Sequence, residues 1–199
     1  MIDDRGYWNS FYEKNGVIHT PSSFASHIQD TYLEDGKALL ELGCGNGRDA
    51  VFFAEKGAIV SALDLSSQTI QTLSSMNIKN TQFFNQDFSQ LSDFSNFDYV
   101  YSRFTLHSVD AETEMSVFQQ LPKVLRKGGL FLMEARSLKD ESMEKAFGVT
   151  HFRRYLNFEE SVRKIEDLNF RILKKTESQG LSPYKDEDPF LIRIIAEKI

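Results

Sequence analysis

Two hydrophobic periodicities alternate along the chain. Lys37 to Leu42 is a short apolar run that stops at glycines, as a strand buried on both faces would. Arg48 to Lys56 then carries helix formers and a Phe52, Phe53, Ala54 cluster, and Gly57 supplies a C-terminal stop. The unit repeats: Ala58 to Leu63 predicts a second strand, and Ser66 or Ser67 caps a helix carrying Ile70 and Leu73. Thr81 to Gln86 and Phe97 to Ser102 predict the third and fourth strands. From Ala111 to Arg126, Met115, Phe118, Leu121 and Leu125 share one helical face, interrupted at Pro122, with Gly128-Gly129 as the end and Leu130 to Ala135 as a fifth strand.

The last third has a different grammar. Asn157 with Glu160 three positions on forms a capping box and opens a helix through Val162, Ile165 and Leu168, stopping near Asn169. Two β-rich runs, Phe170 to Glu177 and Phe190 to Glu197, follow without a helix between them, separated by a turn-rich loop with Gly180, Pro183 and Pro189. Alternating strands and helices predict a doubly wound, mostly parallel α/β sheet with helices on both faces, and the final pair predicts an antiparallel C-terminal hairpin strand.

Composition narrows the class. At 199 residues one domain is expected, with a helical lid or cap region over 1–36 and a Rossmann-like core over 37–199. The 41% hydrophobic and 26% charged residues, with a mean hydropathy of -0.37, suit a soluble globular protein. No run approaches the roughly 20 apolar residues of a membrane span. The first residues lack the basic and apolar regions of a signal peptide, so a cytoplasmic location is expected. A net charge of -6 argues against nucleic acid and acidic membranes as partners and leaves small molecules as the default. The lone Cys44 has no intramolecular disulfide partner, and no Cys/His grouping has metal-ligand spacing, so no metal is expected.

In an open α/β sheet the ligand crevice lies beyond the carboxyl ends of the strands, where strand order reverses. The first such end is Glu41-Leu42-Gly43-Cys44-Gly45-Asn46-Gly47. Its glycines let the backbone turn sharply and approach a ligand without Cβ interference, and the helix from Arg48 aims N–H groups at it. Asp64, ending the second strand, can accept two hydrogen bonds from a ribose diol, and Asp87, ending the third, is placed for an adenine amino group. The Gly-x-Gly-x-Gly spacing after an acidic residue differs from the Gly-x-Gly-x-x-Gly of dinucleotide sites and favours a sulfonium cofactor over a pyrophosphate.

With Glu41, the three glycines, Asp64, Asp87 and Gly128-Gly129 in order, the chain resembles the class I S-adenosylmethionine-dependent methyltransferases over roughly Leu39 to Ala135. The resemblance implies a seven-stranded sheet of order 3-2-1-4-5-7-6 and S-adenosyl-L-methionine as cofactor. It further implies that Gly43, Gly45 and Gly47 underlie the methionine part, with Glu41 beside them. Asp64 and Leu65 would serve the ribose, Asp87 and Phe88 the adenine, and Ser102 and Arg103 would border the methyl group. The form Gly-Cys-Gly-Asn-Gly-Arg-Asp is similar to small-molecule members, including tellurite-resistance and thiopurine types.

Other residues have two readings each. Cys44 is a reactive thiol or, in so tight a turn, a small filler. Trp8, Phe11 and Tyr12, at helical spacing, are a packing stripe or a lid over the cofactor. His107, after the fourth strand, is a structural imidazole or a catalytic base, the latter needed only if the acceptor must lose a proton. His151-Phe152-Arg153-Arg154-Tyr155 is a solvated basic loop or, with Arg136 and Tyr184, a substrate-anion site. The expected function is methyl transfer to oxygen or nitrogen of a small, anionic metabolite or saccharide precursor. The alternatives are a thiopurine- or tellurite-type detoxifying enzyme and a non-catalytic cofactor-binding regulator. A nucleic-acid methyltransferase is disfavoured because Ser102-Arg103-Phe104-Thr105 stands where an Asn/Asp-Pro-Pro-aromatic tetrapeptide would.

Overall fold

The computed structural model describes residues 20–143 and 152–199, so the predicted lid residue Tyr12, with Trp8 and Phe11, and the predicted substrate residue His151 lie outside it. In chain order the elements are α1 (Ser23–Thr31), β1 (Ala38–Leu42), α2 (Arg48–Glu55), β2 (Ile59–Asp64), α3 (Ser67–Ser75), β3 (Thr81–Asn85), β4 (Phe97–Arg103), α4 (Ala111–Val124), β5 (Leu125–Arg136), α5 (Phe158–Glu166), β6 (Phe170–Ser178) and β7 (Leu191–Lys198). The sheet has the order β3-β2-β1-β4-β5-β7-β6, as the resemblance implied. Strands β1 to β5 pair in parallel, while β7 runs antiparallel to both β5 and β6.

Strand alternation divides the core into two layers. Leu40, Leu42, Val100, Phe131 and Ile194 pack against Phe118 of α4 and Val162 and Ile165 of α5. Leu39, Tyr101 and Leu132 pack on the other face against Phe24 and Ile28 of α1, Phe53 of α2 and Leu73 of α3. Both layers are close to fully buried, which is why Leu39-Leu40 of β1 and Tyr99-Val100-Tyr101 of β4 present side chains of low polarity to both faces.

Capping chemistry explains most of the helix starts. Ser22, Ser66, Asp110 and Asn157 each accept, through the side chain, a backbone N–H three residues on. One boundary differs from expectation. Gly128-Gly129 does not end α4: the helix stops at Val124, and both glycines lie inside β5. Pro122, in the last turn of α4, has no N–H to continue the ladder. The Lys198 ammonium donates to the carbonyls of Pro122 and Leu125, placing a cation where the helix dipole favours one. Gly129 is needed for close packing, since a Cβ there would lie 2.9 Å from the Arg126 carbonyl and 3.1 Å from that of Asp98.

Candidate functional site

The parallel strands β1, β2, β3 and β4 end on one side of the sheet, around the glycine turn. Gly43, Gly45 and Gly47 have φ of 71°, 53° and 77°, a region L side chains seldom occupy. The turn closes on itself through Gly47 N–H to the Cys44 carbonyl at 2.9 Å, and is tied to β2 through Cys44 N–H to the Leu63 carbonyl at 2.9 Å. Thr105 forms its floor: its hydroxyl donates to the Leu42 carbonyl at 2.7 Å. Burial pushes the Cys44 thiol well above its ordinary range, so a reactive thiolate is disfavoured and Cys44 acts as a filler.

Asp64 does more than wait for a ligand. Its two carboxylate oxygens accept the N–H groups of Gly45 and Ser66, each at 2.9 Å, so it fixes the turn from the side. Burial raises its pKa, while hydrogen bonds from the amides of Ser66, Gly45 and Leu65 pull it back. The Leu65 side chain is 36% exposed. Asn85 and Gln86 donate to the Asp64 carbonyl at 3.1 and 3.2 Å, lacing the end of β3 to that of β2. Asp87 sits in a turn of its own, accepting Ser89 N–H at 2.8 Å, and Phe88 packs on the core beside it.

Two buried polar atoms at these strand ends have no hydrogen-bond partner among the described residues: Glu41 Oε2 on β1 and Ser102 Oγ on β4. A native fold seldom leaves such atoms unpaired, and a bound ligand is one way to satisfy them. Burial raises the Glu41 carboxyl well above the usual range, and the Asp49 carboxylate adds to the rise. Asp49, which motif reasoning passed over, is itself saturated. It accepts Ser22 N–H at 2.8 Å, the Ser22 hydroxyl at 2.7 Å and the Tyr101 hydroxyl at 2.9 Å, and so joins α1, α2 and β4 directly behind the turn. The Asp after Gly47-Arg48 was visible in the sequence; its partners were not.

Of the residues expected to meet a substrate anion, Arg136 and Arg154 meet His107 through their backbone N–H groups. The imidazole is 3% exposed; its Nδ1 accepts Arg136 N–H at 3.2 Å, and its backbone carbonyl accepts Arg154 N–H at 2.7 Å. The Arg136 guanidinium, however, is held by Asp140 at 2.6 Å and by Glu187, with 8% of the side chain exposed. Arg154 pairs with buried Glu114 at 3.1 Å and donates to the Val109 carbonyl at 3.2 Å. Arg153 Nε is buried without a partner among the described residues. Tyr184 is 62% exposed, joined to Glu187 by a short backbone bridge and carrying Lys185 over its ring at 5.3 Å.

Arg103 ends β4. Its Nε donates to Glu134 at 2.9 Å, and its guanidinium stacks over Phe104, 4.1 Å from the ring centroid. Glu134, fully buried, also accepts Arg193 Nε at 2.6 Å. Neither Glu134 nor Arg193 carries a sequence signal, because only the pairing of three strands brings them to Arg103.

Residues 39–129 match a family model described as a methyltransferase domain. A protein of Geobacillus sp. (strain WCH70), named as a methyltransferase, is 29% identical over 138 residues, which cover 66% of this chain and 56% of that protein. The cypemycin N-terminal methyltransferase of Streptomyces sp. is 30% identical over 103 residues, covering 50% of this chain and 42% of its own. The chain therefore spans about half the length of these relatives. In fold it is similar to the Burkholderia thailandensis 1,6-didemethyltoxoflavin-N1-methyltransferase, solved with 1,6-didemethyltoxoflavin and S-adenosylhomocysteine bound. The TM-score is 0.75 at 20% identity, covering 98% of this chain and 86% of the other.

Proposed function

We propose that this chain, whose residues 39–129 match a methyltransferase domain model, is a class I S-adenosylmethionine-dependent methyltransferase and transfers a methyl group from S-adenosylmethionine to a small-molecule acceptor. The observation that carries the reading is the glycine turn itself: three positive-φ glycines, an amide pinned by Asp64, and the orphaned Glu41 oxygen at the strand end that leads into it.

These residues fit the cofactor. Glu41 Oε2 and Ser102 Oγ would meet its polar amino-acid end, Asp64 its ribose and Asp87 with Phe88 its adenine. When bound, the cofactor supplies an electrophilic methyl group on a positively charged sulfur. The protein's own part is orientation and the exclusion of water, which can supply most of the acceleration of an in-line displacement. The acidic net charge favours an uncharged or locally recognised small acceptor over nucleic acid. Nitrogen is the favoured acceptor atom, because the Burkholderia enzyme similar in fold is named as an N1-methyltransferase.

His107 enters this reading as a positioning residue. Because Nδ1 takes the Arg136 amide proton, the neutral ring carries its own proton on Nε2. Serving as a base would set two N–H donors against each other at Nδ1. His107→Asn can still accept the Arg136 N–H, so turnover within about tenfold of the parent is expected. A fall of a hundredfold or more, in the range of lost acid-base catalysis, would restore the base.

Glu41 gives a pH signature. A buried carboxyl whose folded pKa is raised stabilises the fold below the ordinary carboxylate range and loses that contribution as pH climbs to the folded value. Within that window the parent apoprotein should lose about 1.4 kcal/mol per pH unit relative to Glu41→Gln. Urea unfolding of both proteins across pH measures it, and parallel curves would mean Glu41 is ionised throughout.

The function is tested by incubating the protein with methyl-labelled S-adenosylmethionine and fractionated cell metabolites. Label in a discrete small product is expected. Tight binding of S-adenosylhomocysteine with no labelled product from any fraction would make the protein a cofactor-binding regulator instead.

A further inference from the structure

We propose that Arg153 anchors an oxyanion carried by the methyl acceptor, an assignment that rests on the methyl-transfer reading above. The run that holds it is fastened to two strand ends. Arg154 N–H donates to the carbonyl of His107, just past β4, at 2.7 Å, and Leu156 N–H donates to the carbonyl of Arg136, the last residue of β5, at 3.0 Å. Amides bonded in this way at every second residue mark an extended chain, in which successive side chains alternate. Arg154 and Leu156 turn toward α4: one reaches Glu114 at 3.1 Å and the other joins the core with Phe118. Arg153, between them, is therefore turned away from α4, at the carboxyl ends of β4 and β5, where an open α/β sheet receives its ligands.

The two adjacent arginines differ in what holds them. Arg154 is spent inside the protein, on Glu114 and, through Nε, on the Val109 carbonyl at 3.2 Å. Arg153 is partly buried, and its Nε has no acceptor. Every other buried or partly buried arginine among the described residues has a carboxylate. Arg48 pairs with Asp49, Arg103 and Arg193 with Glu134, and Arg136 with Asp140 and Glu187. A half-buried guanidinium with neither counter-ion nor hydrogen bond is costly to keep, and a bound oxyanion supplies both.

Local charge balance does not choose the ligand. Arg136 with Asp140 and Glu187 carries one net negative charge, while Glu114 and Glu160 balance Arg154 and Lys164. Those carboxylates are already engaged, and none of them pairs with Arg153. The choice rests on the unmet donors of a permanent cation, whose planar fork matches the paired oxygens of a carboxylate or phosphate.

Cell metabolites separated on an anion exchanger at neutral pH supply the test, with methyl-labelled S-adenosylmethionine as donor. Labelled product is expected from a retained fraction. When that fraction is titrated, Arg153→Gln should raise the amount needed for half-maximal rate by about tenfold or more, the effect of one lost charge-assisted contact. Half-saturation by S-adenosylmethionine should stay within about twofold, which a general loss of structure would not allow. Arg153→Lys, which keeps the charge without the fork, should fall between and serves should Arg153→Gln fail to fold. Inorganic sulfate should compete with the fraction in the parent and lose that effect in Arg153→Gln. Arg163→Gln, at an exposed arginine on α5, controls for lost charge. Acceptor activity confined to the unretained fraction overturns the proposal, as does parental half-saturation in both Arg153 variants or an equal shift for the cofactor. If S-adenosylhomocysteine binds but no fraction is labelled, the methyl-transfer reading fails instead. Thermal shift by sulfate at fixed ionic strength then decides whether Arg153 holds an oxyanion, and equal shifts in parent and Arg153→Gln mean that it does not.

Discussion

Gly43→Ala is expected to lower stability by about 2–5 kcal/mol and to abolish measurable binding of S-adenosylhomocysteine. Two costs combine. The backbone has φ of 71°, where an L side chain costs about 1–2 kcal/mol. The new Cβ would also lie 2.8 Å from Thr105 Cγ2 and 2.9 Å from its Oγ1. Thr105 has little freedom to yield, because its hydroxyl is bonded to the Leu42 carbonyl at 2.7 Å and the residue is 5% exposed. Overpacking of this kind costs about 1–3 kcal/mol, and any relief moves the amides that should face the cofactor. Gly180→Ala is the internal control, with φ of 76° but nothing within 4 Å of its Cβ. It should lose only the conformational part and bind normally. Urea unfolding and calorimetry on both variants decide the matter; equal losses would mean that Thr105 gives way and the turn floor is soft.

Asp64→Ala is expected to weaken S-adenosylhomocysteine by about a hundredfold or more. Charge-assisted hydrogen bonds contribute about 1.5–3 kcal/mol each, and this carboxylate serves the protein as well as the ligand. Its removal frees the Gly45 and Ser66 amides, so the turn loosens at the same moment that the ribose loses its acceptor. Asp64→Asn keeps one acceptor oxygen and should fall between, near tenfold. Because the role assigned is at the ribose, 5′-methylthioadenosine should lose affinity in parallel. A folded Asp64→Ala protein with parental affinity would take Asp64 out of the crevice and leave it a turn fastener.

The parts of this site that were legible are those whose chemistry is local. Three alternate glycines constrain φ within a single turn, and an Asp at a strand end needs only the strand to be placed. The sheet order followed from resemblance, and the two final strands from the absence of a helix between them. Asp49, Tyr101, Ser22, Glu134 and Arg193 were not legible as a group, because each acquires its role from strand register or helix docking, which no sequence window contains. Arg136 illustrates the opposite difficulty. A cation at a strand end reads as a ligand site, yet Asp140 four residues later and Glu187 in the final loop claim it. The boundary at Gly128-Gly129 failed for a local reason: glycines end helices often, but here the chain already turns extended at Leu125, and the close approach of strands required Gly129.

The position of β7 has a temporal consequence. Everything that defines the glycine turn, Asp64 and Asp87 is synthesised before residues 191–198, yet β7 is an interior strand, between β5 and β6. A chain emerging from the ribosome can therefore carry the glycine turn, Asp64 and Asp87 while β5 still shows an open, apolar edge containing Phe131 and Met133 and while Glu134 still lacks Arg193. Such an edge invites pairing with the wrong strand, and closing it requires a long-range antiparallel insertion, a slow class of folding event. The nascent protein is thus most exposed to aggregation when its motif is complete and its sheet is not, and chaperone dependence should be concentrated in that interval.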